Sequence, residues 1–99
     1  MAKLILRQEA IDDLTDIWDY TVMTWSEKQA DKYYGIIKTA CKGIETNFAI
    51  GRSYEEIYIG LFGYRVGKHI IFYQKTVNDE IEVIRILHER MDLKNRITE

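Results

Sequence analysis

Two long amphipathic stretches separated by two residues constrain this chain more than any other feature. From Glu9 to Thr24, the residues Ala10, Ile11, Leu14, Ile17, Trp18, Thr21 and Val22 recur at every third or fourth position, and Trp25 continues the row. Asp12, Asp13, Asp16 and Asp19 fill the other side. That period belongs to a helix with one apolar face, and its early acids suit the positive N-terminal end of the helix dipole. Next comes Ser26-Glu27-Lys28-Gln29, an S-x-x-Q capping box. Ser26 is expected to accept from the Gln29 backbone N–H, and the Gln29 side chain to reach back to Ser26. The second helix carries its stripe on Ala30, Tyr33, Tyr34, Ile37, Ala40, Cys41, Ile44 and Phe48. A connection as short as Thr24-Trp25 dictates an antiparallel helical hairpin.

Two apolar stripes need a surface to lie on, and the rest of the chain reads mostly as strands. Lys3 to Arg7 is a short apolar run flanked by charge. Gly51 to Glu56 reads as a loop, and Ile57 to Tyr64 as a strand made irregular by Gly60 and Gly63. Gly67 marks a turn. Lys68–Val77 and Ile81–His88 form a hairpin around Asn78-Asp79-Glu80, the second strand being rich in β-branched residues. Met91 to Ile97 allows a short terminal helix. The order is β-α-α-β-β-β with a possible short C-terminal helix. The expected fold is α+β in two layers, the hairpin crossing one face of a mainly antiparallel sheet, with residues 1–99 as a single domain.

Composition narrows the function classes. A 46% hydrophobic and 30% charged chain is globular rather than disordered. A single cysteine excludes an internal disulfide and a Cys-rich zinc site, and it points to a reducing cytoplasm. Cys41 lies within the second stripe, which predicts a core residue rather than a reactive thiol. No apolar run suits a membrane span, and the N-terminus meets acids too soon for a signal peptide. No pattern implies a metal, nucleotide or organic cofactor. The net charge of −2 does not advertise nucleic-acid binding, but the charges are segregated. Five acids and no base lie between Glu9 and Tyr20, and four lysines with one acid between Lys28 and Lys42. Such blocks are solvated helix faces or distinct acidic and basic partner sites.

Three segments together carry a family resemblance: EAIDDLTDIWDY (Glu9–Tyr20), YRVGKHIIFY (Tyr64–Tyr73) and IEVIRILHERMD (Ile81–Asp92). In this order and spacing the chain resembles the ParE branch of the RelE/ParE toxin superfamily, over Leu4 to about Leu93. The resemblance implies the β-α-α-β-β-β fold and the toxin role of a type II toxin–antitoxin system. It implies a toxin that traps the cleaved-DNA complex of DNA gyrase and is neutralised by a ParD-like antitoxin. That antitoxin would be a ribbon-helix-helix dimer whose flexible half wraps the toxin, with operator DNA bound only through it. RelE relatives instead cut mRNA on the ribosome, which makes a ribosome-dependent endoribonuclease the alternative. A non-toxic, complex-forming remnant is a third reading. Three positions depart from the family pattern. Arg7-Gln8 replaces the usual Ser-Pro opening of the first helix, Leu61-Phe62 stands where an arginine is common, and Gln74 replaces an arginine after Tyr73.

A nuclease of this kind needs a general acid or base and cations around the scissile phosphate. The candidates for that role are Arg65, Lys68, Arg85 and His88. Glu55 and Glu56 stand where a nuclease would carry lysines, and they would repel an RNA backbone. The preferred reading is therefore a binding protein rather than an enzyme, with no catalytic residue and with Arg65, Lys68, His69, Arg85 and Arg90 as candidates to contact the target. With regular pairing, Arg85 shares a face with Ile81, Val83 and Leu87, and His88 with Glu82, Ile84 and Ile86. A bulge would change this. Arg85, a charge among apolar neighbours, needs a carboxylate partner or exposure on the helix-free face. His88 reads instead as a strand-end residue bonded to backbone, while His69 reads equally as solvated or functional. For the antitoxin, the candidates are Trp25, Lys28, Lys32, Tyr33, Tyr34 and Lys38, combining aromatic anchors with complementary charge.

Overall fold

Ser26 stops one helix and starts the next. Its hydroxyl accepts from the Gln29 backbone N–H at 3.1 Å, as the capping box predicts. Its own N–H goes instead to the Thr21 carbonyl at 3.2 Å, so the end of the first helix satisfies the donor that the Gln29 side chain was expected to reach. The computed structural model describes residues 3–98. In chain order it has β1 (Leu4–Leu6), α1 (Gln8–Thr24), α2 (Glu27–Thr46), a 3-10 turn (Phe48–Ile50), β2 (Arg52–Ser53), β3 (Phe62–Val66), β4 (His69–Lys75), β5 (Ile81–His88) and α3 (Leu93–Thr98).

The strands form one five-stranded sheet in the order β1-β5-β4-β3-β2. All neighbours are antiparallel except β1, which runs parallel to β5 in the register Leu4↔Ile81 to Leu6↔Val83. The α+β expectation holds, with one more strand than the sequence suggested. The extra strand is Arg52–Ser53, inside the expected loop, paired with Gly63 and Phe62.

The helical hairpin buries most of its stripes on one face of the sheet, but Ile11, Trp25 and Tyr34 stay exposed, and Phe48 lies in the 3-10 turn beyond the end of α2. Ala10, Ile37 and Ile44 pack against Val66, Ile71, Tyr73, Ile81, Val83 and Ile86. Each large aliphatic side chain buried there contributes roughly 1.5–3 kcal/mol. The second face is also covered. Leu61, Ile70, Phe72, Ile84 and Leu87 lie beneath Tyr54, Ile57 and Tyr58 and beneath Leu93 and Ile97 of α3. This corrects the strand expected over Ile57–Tyr64. Its first half is a turn segment that lids the second face, and pairing begins only at Phe62. Gly63 is required where the lid crosses, because a Cβ there would stand 2.6 Å from the Tyr54 ring.

The β4–β5 hairpin forms where the sequence puts it, with Asp79 at φ 60 in its turn. Its pairing is not regular. Phe72 opposes Arg85 while Tyr73 opposes Val83, which leaves Ile84 bulged out of register. The regular face assignment therefore fails across that residue. Val83 and Ile86, three apart, both face the helices, while Ile84 and Leu87 join the second core.

Candidate functional site

Asp13 of α1 holds the middle of β5. Strand β1 stops pairing at Leu6, so beyond Val83 that edge of β5 has no strand beside it. The Asp13 carboxylate takes over. One oxygen accepts from the Ile86 backbone N–H at 3.0 Å and from Arg85 Nε at 2.8 Å, and the other accepts from Arg85 Nη2 at 2.9 Å. The pair is mostly buried, with side-chain exposures of 20% for Arg85 and 13% for Asp13. Arg85 also donates to the Arg96 carbonyl at 2.9 Å, which ties α3 to the sheet. Two-point Arg–carboxylate contact of this kind fixes geometry as well as charge.

Downstream of the bulge, His88 lies opposite His69 across β4–β5. The two rings meet edge to face, with centroids 5.3 Å apart. His69 Nδ1 is 2.6 Å from the Tyr33 hydroxyl, which also lies 3.1 Å from the Val66 carbonyl. Burial first, and the neighbouring His88 second, hold His69 below the ordinary imidazole range. Burial raises Tyr33 above the ordinary phenol range. Gly67 makes this contact possible. It has φ +57, and a Cβ there would come within 2.8 Å of the Tyr33 hydroxyl. His88 Nδ1 accepts from the Arg90 backbone N–H at 3.1 Å.

These groups lie along an open groove of about 1000 Å³ between the hairpin and the end of the sheet. Asp13, Asp16, Ile17, Tyr20 and Trp25 line it from the α1 side, and Lys32, Tyr33 and Ile36 from α2. The sheet side supplies Gly67, Lys68, His69, Ile86, His88, Arg90 and Met91. Tyr20 and Trp25 stay largely exposed, at 67% and 71%. Among the described residues, no group of three or more His, Cys, Asp or Glu side chains is arranged to hold a metal ion. Cys41 is partly buried, and burial pushes its thiol up to about 11.

A family model described as ParE toxin of type II toxin-antitoxin system, parDE, matches residues 4–93. The chain belongs to the ParE toxin family. It is 33% identical over 96 residues to Toxin ParE1 of Mycobacterium tuberculosis, covering 97% of this chain and 98% of that one. Toxin ParE1 of Caulobacter vibrioides is 30% identical over 89 residues, covering 90% of this chain and 91% of the relative. Toxin ParE of Escherichia coli is 28% identical over 99 residues, covering 100% and 96%. The fold matches a structure titled chromosomal ParDE TA system from P. aeruginosa, with a TM-score of 0.78 at 20% identity, covering 89% of this chain and 96% of that one. Membership in a ParDE-type system implies an antitoxin partner. No helix among the described residues is long and apolar enough to cross a membrane.

In this ParE-family chain the candidate residues fall into two groups. The groove brings together Lys68, His69, His88 and Arg90 from the target or nuclease sets with Trp25, Lys32 and Tyr33 from the antitoxin set. Arg65 lies away from it, paired with Glu89, and Arg85 is held by Asp13. Lys28, Tyr34 and Lys38 are exposed on the hairpin outside the groove. Tyr34 instead packs edge to face on Trp18, with centroids 6.3 Å apart. Sequence reasoning missed Asp13 as the partner of Arg85, although a charged residue in an apolar strand required some carboxylate. It also missed Tyr20 and Ile36, whose signal was an apolar side chain standing off the core stripe.

Proposed function

We propose that this ParE-family toxin acts by binding rather than by cutting RNA, with DNA gyrase as the target, and that its antitoxin is a ParD-like protein. The antitoxin's C-terminal segment lies in the groove between the hairpin and the sheet. The observation that carries the binding reading is that Arg65 and Arg85 are each held in an ion pair rather than joined to the cations of the groove. Arg85 is spent on Asp13 and Arg65 on Glu89, so the guanidinium groups that an RNA-cleaving site would gather do not converge. The choice of gyrase rests on the family resemblance.

The groove suits an amphipathic segment in both shape and chemistry. Tyr20, Trp25 and Ile36 offer exposed apolar surface, while Lys32, Lys68 and Arg90 offer positive charge. Segments that fold on binding use apolar anchors for affinity and charge for register. Two parallel reactions test the target. Toxin freed of antitoxin is incubated with gyrase, supercoiled plasmid and ATP, and linear DNA is scored after detergent and protease. A second reaction uses programmed ribosomes and mRNA. Linear DNA with intact mRNA is the expected result. Cleaved mRNA with intact plasmid would move the acid–base role to His69 and His88, the imidazoles nearest Lys68 and Arg90.

A further inference from the structure

Antitoxin capture alone does not require two imidazoles on the groove floor. His88 already uses Nδ1 to accept from the Arg90 N–H, so its neutral ring carries the proton on Nε2 and remains a donor. His69 is arranged differently. Tyr33 has one proton and two neighbours, the Val66 carbonyl at 3.1 Å and His69 Nδ1 at 2.6 Å. When Tyr33 donates to Val66, Nδ1–H of His69 donates to Tyr33. In that chain His69 can be protonated at Nε2 without losing any bond. The fold thus has an arrangement ready for an imidazolium at His69.

The charge around the pair is unbalanced. On the α1 side stand Asp13 and Asp16, but Asp13 is committed to Arg85 and the Ile86 N–H. Helix α2 contributes Lys32 beside Tyr33, and the β3–β4 turn contributes Lys68. After β5 come Glu89, committed to Arg65, and Arg90. Asp16 therefore faces three cations and two imidazoles. Such a surface is complementary to an oxyanion. We propose that His69 and His88, framed by Lys68 and Arg90, form a docking point for an acidic side chain of the bound antitoxin segment, and that His69 takes up a proton as that side chain docks. This rests on the groove being the antitoxin site. A carboxylate against the pair favours the charged ring, so affinity is fully developed at low pH and is lost as pH rises through the His69 value in the complex.

The test measures affinity for purified cognate antitoxin between about pH 6 and pH 8, the range over which an imidazole changes charge. Proton uptake is measured alongside by calorimetry in buffers of different ionisation enthalpy. Wild type is expected to bind more tightly as pH falls, by up to about tenfold per pH unit for one proton taken up. His69→Gln, which can still hydrogen-bond Tyr33, is expected to flatten that profile and abolish the uptake. Lys68→Gln is expected to weaken binding at every pH and keep the slope. A flat wild-type profile without uptake overturns the proposal, as does unchanged uptake in His69→Gln. The groove reading itself is tested by Trp25→Ala and Lys32→Glu. If neither weakens binding, that reading falls and the docking point with it. If both weaken binding while the pH profile is flat, only the docking point falls.

Discussion

Arg85 and Arg90 lie five residues apart, on β5 and on the turn that follows it, and their surroundings differ in kind. Arg85 meets a carboxylate at two points, a backbone carbonyl at a third, and little water. Arg90 stands exposed beside Lys68 and the histidine pair, and among the described residues neither it, Lys32 nor Lys68 has an ion pair. A charge matched on all sides belongs to the fold, because removing its partner leaves an uncompensated charge where water is scarce. A charge left in solvent costs the fold nothing to change and is available to a partner. The same residue type, nearby on one chain, is therefore architecture in one position and solvent-facing surface in the other.

Removing the Asp13 carboxylate tests the matched charge most directly. Asp13→Ala removes the carboxylate that the Arg85 guanidinium and the Ile86 N–H share, and we expect a loss of about 2–4 kcal/mol, read from urea unfolding. A loss under about 0.5 kcal/mol, the size of an ordinary surface change, would show that the clamp is not structural. On the groove side the effects move from stability to binding. Trp25→Ala is expected to weaken antitoxin binding by about 2 kcal/mol while leaving the urea midpoint almost unchanged, because the ring is exposed in the free protein. Charge reversal sharpens the contrast within one helix. Lys32→Glu, inside the groove, should weaken binding about tenfold, an effect that shrinks with added salt. Lys38→Glu, outside it, should weaken binding much less. Equal losses at the two lysines would point to long-range steering rather than contact.

The smallest expected effect is at Glu82, on the matched side. Hydrogen bonding from Arg7, reinforced by Gln74, holds its carboxyl below the usual carboxylate range. A depressed carboxylate contributes stability above its unfolded value and loses that contribution as pH falls through the folded value. Glu82→Gln should therefore be slightly less stable than wild type at pH 7, by under about 1 kcal/mol for a pair this exposed. The gap should close below about pH 4, near the ordinary carboxylate range. A gap of constant size from pH 7 to pH 3 would show that charge is not its source.

Much of the frame was legible from periodicity. The stripes of α1 and α2, the Ser26 cap and the β4–β5 hairpin all follow from local spacing, and local spacing survives tertiary packing when both agree. The lid over Tyr54–Leu61 did not, because a segment covering a second hydrophobic face is as apolar as a strand and differs only in its hydrogen bonds. The Ile84 bulge was hidden for a related reason. In IEVIRIL five of the seven residues are apolar and Ile84 follows Val83 directly, so the run carries no sustained alternation from which a slip in register could be read. That slip puts His88 on the same side as His69, and the site assembles from residues 19 apart in sequence that no local pattern links. The groove needed the same non-local information, since its walls come from both helices and the far ends of two strands.

The parallel pairing of β1 with β5 also has a consequence in time. Leu4 is paired with a residue 77 positions later, and β5 lies between β1 and β4 as the strand against which both are aligned. The helical hairpin is complete in sequence at Thr46, but its floor is not complete until Ile86 has been added. At a synthesis rate of about 5–20 residues per second, the 40 residues between them take roughly 2–8 seconds. For that interval the nascent chain carries a finished apolar surface with an incomplete sheet beneath it, and the part of the groove formed by His88, Arg90 and Met91 does not yet exist. Each new copy of the chain therefore passes through an interval in which its apolar helix faces are only partly covered and the groove is not yet built.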